Sequence, residues 1–144
     1  MHRVRLVAVF VEDKLGALAR ATKVLAEADV NIRWVGIASG ERVGVVRFLV
    51  DRVPDAQKAL AAHGFAVSLN EVLALEVEDR PGGLAHVAAA LAGHEVNVLN
   101  ASGFVVTSGK RAVLIIEVED VARAQAALKG QHVHFISEEE LIRL

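Results

Sequence analysis

Residues 3–11 form a β-rich run whose apolar positions fall on both faces, Leu6, Ala8 and Phe10 alternating with Val7, Val9 and Val11, and Glu12-Asp13 bounds it. From Gly16 to Ala28 the period changes. Leu18, Val24, Leu25 and Ala28 recur at helical spacing, which predicts an amphipathic helix. Two β-branched runs follow, Asn31 to Ile37 and Val43 to Val50, and the turn signal Ser39-Gly40-Glu41 between them predicts a hairpin. Pro54 opens a second helix through Ala56, Ala59 and Leu60, Gly64 ends it, and Phe65 to Leu69 reads as a closing strand. The pattern then starts again, with a strand at 71–78, a helix at 81–92, strands at 95–106 and 110–118, a helix at 120–129 and a strand at 132–136. Ser137-Glu138-Glu139-Glu140 resembles the capped start of a short last helix, with Glu140 in capping-box position.

The two halves are copies. Val11-Glu12-Asp13-Lys14-Leu15-Gly16-Ala17-Leu18-Ala19 matches Val77-Glu78-Asp79-Arg80-Pro81-Gly82-Gly83-Leu84-Ala85 at an offset of 66, and Leu25, Val30, Asn31 and Ile32 fall without a gap on Leu91, Val96, Asn97 and Val98. Beyond the second strand the offset is 68, since Gln57 falls on Gln125 and Leu60 on Leu128, so two residues are inserted in the loop around Ser108-Gly109. The order strand, helix, strand, strand, helix, strand, read twice, predicts an α+β chain. It consists of two ferredoxin-like βαββαβ domains, residues 1–69 and 70–144, each with a four-stranded antiparallel sheet and both helices on one face. The helix-free face of such a sheet alternates to polar residues where it meets water. Here it does not: residues 6–11 and Val113, Leu114, Ile115 and Ile116 are apolar on both faces. That face, or the sheet edge, is therefore expected to be covered by the other repeat or by another subunit, and a homodimer is the simplest way to do it.

Composition narrows the function classes. The chain has 144 residues, 53% hydrophobic and 24% charged, with a mean hydropathy of +0.40, yet its longest apolar stretches, Leu6 to Val11 and Ala112 to Ile116, are strand-sized. A membrane helix needs roughly 18 apolar residues or more, so no membrane partner is expected. The basic start followed by apolar residues is interrupted by Glu12-Asp13-Lys14 where a signal peptide has its longer core and cleavage site, and the expected location is the cytoplasm. The absence of cysteine removes disulfides, thiolate metal sites and thiol nucleophiles together, and fits a reducing compartment. A net charge of −2, a pI near 6.3 and basic residues scattered without a stripe argue against nucleic acid. An aromatic content of 4% with no tyrosine argues against an RNA-stacking sheet. Six histidines lack a carboxylate partner at recognisable spacing. His132-x-His134 on a strand has the spacing to point both imidazoles to one side and hold a metal weakly, against the plainer reading of two half-exposed strand residues. No Ser/His/Asp order, paired acids or phosphate loop is present, so neither catalysis nor a cofactor is expected.

The shared Asp-x-x-Gly segment lies where the first strand of each copy meets the first helix, a place where free N–H groups and the helix dipole favour an anion such as a carboxylate. Gly16 and Gly82 permit close backbone approach. Asp13 or Asp79 offers acceptors to an ammonium group, and the Asn31 or Asn97 amide offers both donor and acceptor. Together these meet the needs of an α-amino acid zwitterion. Plainer readings stand beside this one: the aspartates cap a helix or shape a turn, the glycines serve backbone conformation, and the asparagines bond their own backbone.

Asp-Lys-Leu-Gly-Ala-Leu with Val-Asn-Ile downstream, and Asp-Arg-Pro-Gly-Gly-Leu with Val-Asn-Val, resemble the ACT domain, a βαββαβ regulatory module that commonly binds amino acids. The likeness covers nearly the whole chain, twice. Val-Asn-Ile-Arg-Trp and the C-terminal Ile-Ser-Glu-Glu-Glu-Leu further resemble small stand-alone tandem ACT proteins. The resemblance implies a ligand at an interface between two ACT domains, held by the strand–helix loop and by the Asn before the second strand. In this sequence those positions are Asp13, Leu15, Gly16 and Asn31, and Asp79, Pro81, Gly82 and Asn97. Val11 and Val77 stand where the serine-binding type has His, and Asp replaces its loop Asn, so serine specificity is not implied. Leu15 against Pro81 and Trp34 against Asn100 imply pockets of unlike preference. The resemblance thus implies an amino-acid-binding regulatory protein, the alternative being an interaction or oligomerisation module that regulates a partner enzyme without a small ligand.

Overall fold

The computed structural model describes residues 3–12, 15–39 and 43–144. The first copy runs β1 (Val4–Glu12), α1 (Ala17–Glu27), β2 (Ile32–Ser39), β3 (Val43–Val50), α2 (Val53–Ala62) and β4 (Ala66–Glu78). The second reuses β4 as its leading strand and adds α3 (Gly83–Gly93), β5 (Val98–Thr107), β6 (Arg111–Val118), α4 (Val121–Leu128), β7 (His134–Ile136) and α5 (Glu138–Leu141). Two compact units result, Arg5–Asn70 and Glu71–Leu144, the latter together with Arg3 and Val4.

In the first unit the strand order is β2-β3-β1-β4, with β1 antiparallel to β3 and β3 antiparallel to β2. Val7 and Val9 of β1 and Val46, Phe48 and Val50 of β3 point to one side, as alternate residues of a strand must. There they meet Ala21, Val24 and Leu25 of α1 and Val53, Ala56 and Leu60 of α2. The buried positions of α1, Ala17, Ala21, Val24 and Leu25, follow the i, i+4, i+7, i+8 stripe of a one-sided helix. In the second unit the order is β7-β4-β6-β5. Its core sets Leu73, Leu75 and Val77 of β4 and Leu114, Ile116 and Val118 of β6 against Val87 and Leu91 of α3 and Ala124, Ala127 and Leu128 of α4. Each unit is thus the expected ferredoxin-like α+β arrangement with its helices on one face of the sheet. Each fully buried leucine in these cores contributes about 1.5–3 kcal/mol by leaving water. Residues on the opposite strand faces, Leu6, Ala8 and Leu49, and Ala74, Val113 and Ile115, are buried as well while belonging to neither core.

Several boundaries differ from the sequence pattern. Strands expected separately at 65–69 and 71–78 are one strand of 13 residues, because the stretch through Asn70 contains neither Gly nor Pro to interrupt it. β7 starts at His134, since His132 takes a left-handed turn conformation at φ 57. β5 starts at Val98 for the same reason, Glu95 being at φ 55. The capping box at α5 is complete: the Glu140 N–H donates to Ser137 Oγ at 3.1 Å, and the Ser137 N–H donates to Glu140 Oε2 at 3.0 Å. Gly40 and Glu41 of the expected hairpin turn, and Asp13 and Lys14 of the first strand–helix junction, lie outside the described residues.

Candidate functional site

At each strand–helix junction the chain turns through a left-handed glycine, Gly16 at φ 86 before α1 and Gly82 at φ 89 before α3. A side chain at these positions would strain the backbone, which is why glycine stands there. Among the described residues neither helix start has a side-chain cap, and neither helix has an acid in its first turn. At α3 the chain also comes very close to the strand it has just left, since a Cβ on Gly83 would lie 2.4 Å from the Glu78 carbonyl oxygen.

Beside each junction is a groove. The first, about 450 Å³, lies among Phe10, Val11, Glu12 and Arg20 and the α2–β4 loop residues His63, Gly64 and Phe65. The second, about 500 Å³, lies among Val77, Glu78, Arg80, Pro81, Gly82, Gly83 and His86 and the α4–β7 loop residues Gln131, His132 and Val133. By the offsets of 66 and 68, Val11, Glu12 and Arg20 match Val77, Glu78 and His86, and His63, Gly64 and Phe65 match Gln131, His132 and Val133. The same construction therefore recurs in both copies. Glu78 forms an ion pair with Arg80 across the mouth of the second groove. His86 Nε2–H donates to the Gln131 carbonyl at 3.0 Å, tying α3 to the loop before β7.

The expected site residues are distributed as follows. Pro81 and Gly82 line the second groove. Gly16 opens α1, with Arg20 Nη1 3.7 Å from where its Cβ would be, and Leu15 beside it is fully exposed. Asp79 turns away to the β5–β6 hairpin: its Oδ2 accepts from the Gly109 N–H at 2.7 Å, and its own N–H donates to the Lys110 carbonyl at 3.1 Å. The asparagines sit at the far ends of the helices. α1 has 11 residues, a rise of about 16 Å, so Asn31 is a helix length from Gly16, and Asn97 stands in the same relation to Gly82. There the Asn31 N–H donates to Asp51 Oδ1 at 2.9 Å, and Asn97 Nδ2 donates to Glu119 Oε1 at 3.1 Å. Within a unit the glycine junction and the asparagine are thus not brought together. The residues that sequence reading missed are those of the α2–β4 and α4–β7 loops.

A third cavity, about 320 Å³, is confined to the second unit, among Glu76, Arg111, His134, Glu140 and Arg143. Arg111 Nη2 donates to Glu76 Oε2 at 2.7 Å, and this bond, with the charge behind it, holds the guanidinium pKa above its ordinary value. The matching first-unit positions carry Phe10 and Val43. His132 and His134 line different cavities, which separates the pair considered as metal ligands. Among the described residues no group of three or more His, Asp or Glu side chains is placed to hold a metal, and no helix is long and apolar enough to cross a membrane.

The chain matches the description "ACT domain pair" over residues 2–144, and it belongs to that family. Among solved structures it is similar to protein BT0572 from Bacteroides thetaiotaomicron, with a TM-score of 0.90 and 27% identity, covering 99% of this chain and 97% of that one. It also shares its fold with the regulatory subunit of aspartate kinase from Thermus thermophilus in its ligand-free form, with a TM-score of 0.62, 19% identity and coverage of 92% and 94%. The corresponding subunit from Thermus flavus gives a TM-score of 0.59 at 19% identity, with 92% of each chain covered. No curated protein matches the chain.

Proposed function

We propose that this protein is a cytoplasmic regulatory module, not an enzyme, that binds an amino acid at the strand–helix junctions of its ACT domains. The observation that carries the reading is the recurrence, in both copies, of a groove beside a helix start that a left-handed glycine opens and that no side chain among the described residues caps. Uncapped N–H groups at such a start suit a carboxylate. Glu12 or Glu78 at the groove wall suits an ammonium group. Asp13, Leu15 and Gly16, and Pro81 and Gly82, border the ligand in this reading, and Asp79 holds the neighbouring turn through its bond to the Gly109 N–H. Asn31 and Asn97 reach a ligand only when the junction of another ACT domain is brought to them. The family supports a regulatory role, and the name of the aspartate kinase regulatory subunits is in keeping with it.

A thermal-shift screen of the free protein against the common amino acids tests this. A ligand at a hundredfold excess over Kd stabilises by roughly 2.7 kcal/mol, so at least one amino acid should raise Tm by several degrees. A flat response to all of them refutes the reading. One observation favours the alternative of an interaction module: the edge strands β2 and β5 carry Val35, Ile37 and Val105, each about half exposed. Edges of that kind invite pairing with a second chain, and a homodimer follows from them with or without a ligand.

A further inference from the structure

The two grooves are matched in position and unlike in chemistry. Phe10 and Phe65 flank Arg20 in the first, whereas in the second His86 replaces Arg20, Val133 replaces Phe65 and His132 replaces Gly64. Gly64 has φ 82, and His132 keeps the same left-handed backbone at φ 57. Asp29 and Glu95 take the same conformation at φ 57 and 55, and histidine is among the non-glycine types that enter it most readily. The His132 side chain is exposed on the groove wall. His86 faces the same space, its ring fixed through the Nε2–H bond to Gln131, which leaves Nδ1 outside that bond. The acid of this groove, Glu78, pairs with Arg80 through Oε2.

We propose, building on the amino-acid reading above, that the second groove selects an amino acid with an acidic side chain, received by His86 and His132. The first groove carries Arg20 and Gly64 in their places, beside Glu12, Phe10 and Phe65. A carboxylate beside an imidazole favours the imidazolium, so binding draws a proton from solution. Glu78 and Arg80 are the other charged groups facing the pair.

Calorimetry of the full chain with L-glutamate and L-aspartate, alongside L-leucine and L-phenylalanine, tests this in two buffers of different ionisation enthalpy at one pH. One acidic amino acid should bind per chain with net proton uptake. His132→Gly, which installs the first unit's residue and suits the backbone, should weaken glutamate at least tenfold while leaving leucine or phenylalanine within twofold. His132→Asn, which also tolerates this conformation, should lose the part of the proton uptake due to His132. Glutamate affinity unchanged in His132→Gly overturns the proposal. Binding of apolar amino acids without acidic ones overturns it and leaves the broader reading standing, and binding of no amino acid removes both.

Discussion

Gly83→Ala is the sharpest perturbation of the second junction. The added methyl would lie 2.4 Å from the Glu78 carbonyl oxygen, so the start of α3 has to retreat by more than about half an ångström to reach even the shortest contact a Cβ tolerates. The carbonyl cannot move instead, because it accepts the Arg80 N–H at 3.0 Å at the end of β4. Overpacking of this kind destabilises by about 1–3 kcal/mol, and a clash with held backbone belongs at the upper end. Against it stands a gain of at most about 1 kcal/mol from replacing glycine with a good helix former. The net expectation is a loss of about 2 kcal/mol. For a urea m-value of about 2 kcal/mol/M that lowers the midpoint by roughly 1 M, read by far-ultraviolet circular dichroism. The first unit carries Ala17, a buried alanine, at the same position, so the effect tests local spacing and not a rule of the fold. A midpoint equal to or above that of the wild type would refute the close approach.

Two further outcomes are expected. Asp79→Ala removes the acceptor of the Gly109 N–H and should destabilise by about 1–2 kcal/mol, with faster hydrogen exchange confined to the β5–β6 turn; an effect on ligand affinity with none on exchange there would place Asp79 in the site instead. Ser137→Ala breaks the capping box of α5 and should cost about 1 kcal/mol, seen as increased exchange at Glu140 and Leu141 and absent if α5 is held by Leu141 alone.

The fold was legible because its signals are local. Period changes at Gly16 and Pro54, and their echoes 66–68 positions later, mark α1 to α4, Ser137 marks α5, and the observed elements lie within a few residues of the expected ones. The break expected near Asn70 failed because one polar residue does not interrupt a strand. The site was half legible. Gly16 and Gly82 stand at left-handed junctions as residue type suggested, but the groove's other wall comes from loops about 48 residues further on, and only the topology brings the start of β4 beside the end of β1. The partner of Asp79 is 30 residues away, a distance no spacing rule spans.

Fusing the copies through one unbroken strand also removes a constraint. An assembly of single modules, encoded once, must present identical receptors, so every substitution that tunes one for a new molecule alters the other. Here the halves are inherited together and mutate separately. A difference such as that between Gly64 and His132 can settle in one half while the other keeps its own residue, so the two halves are free to diverge in what they meet.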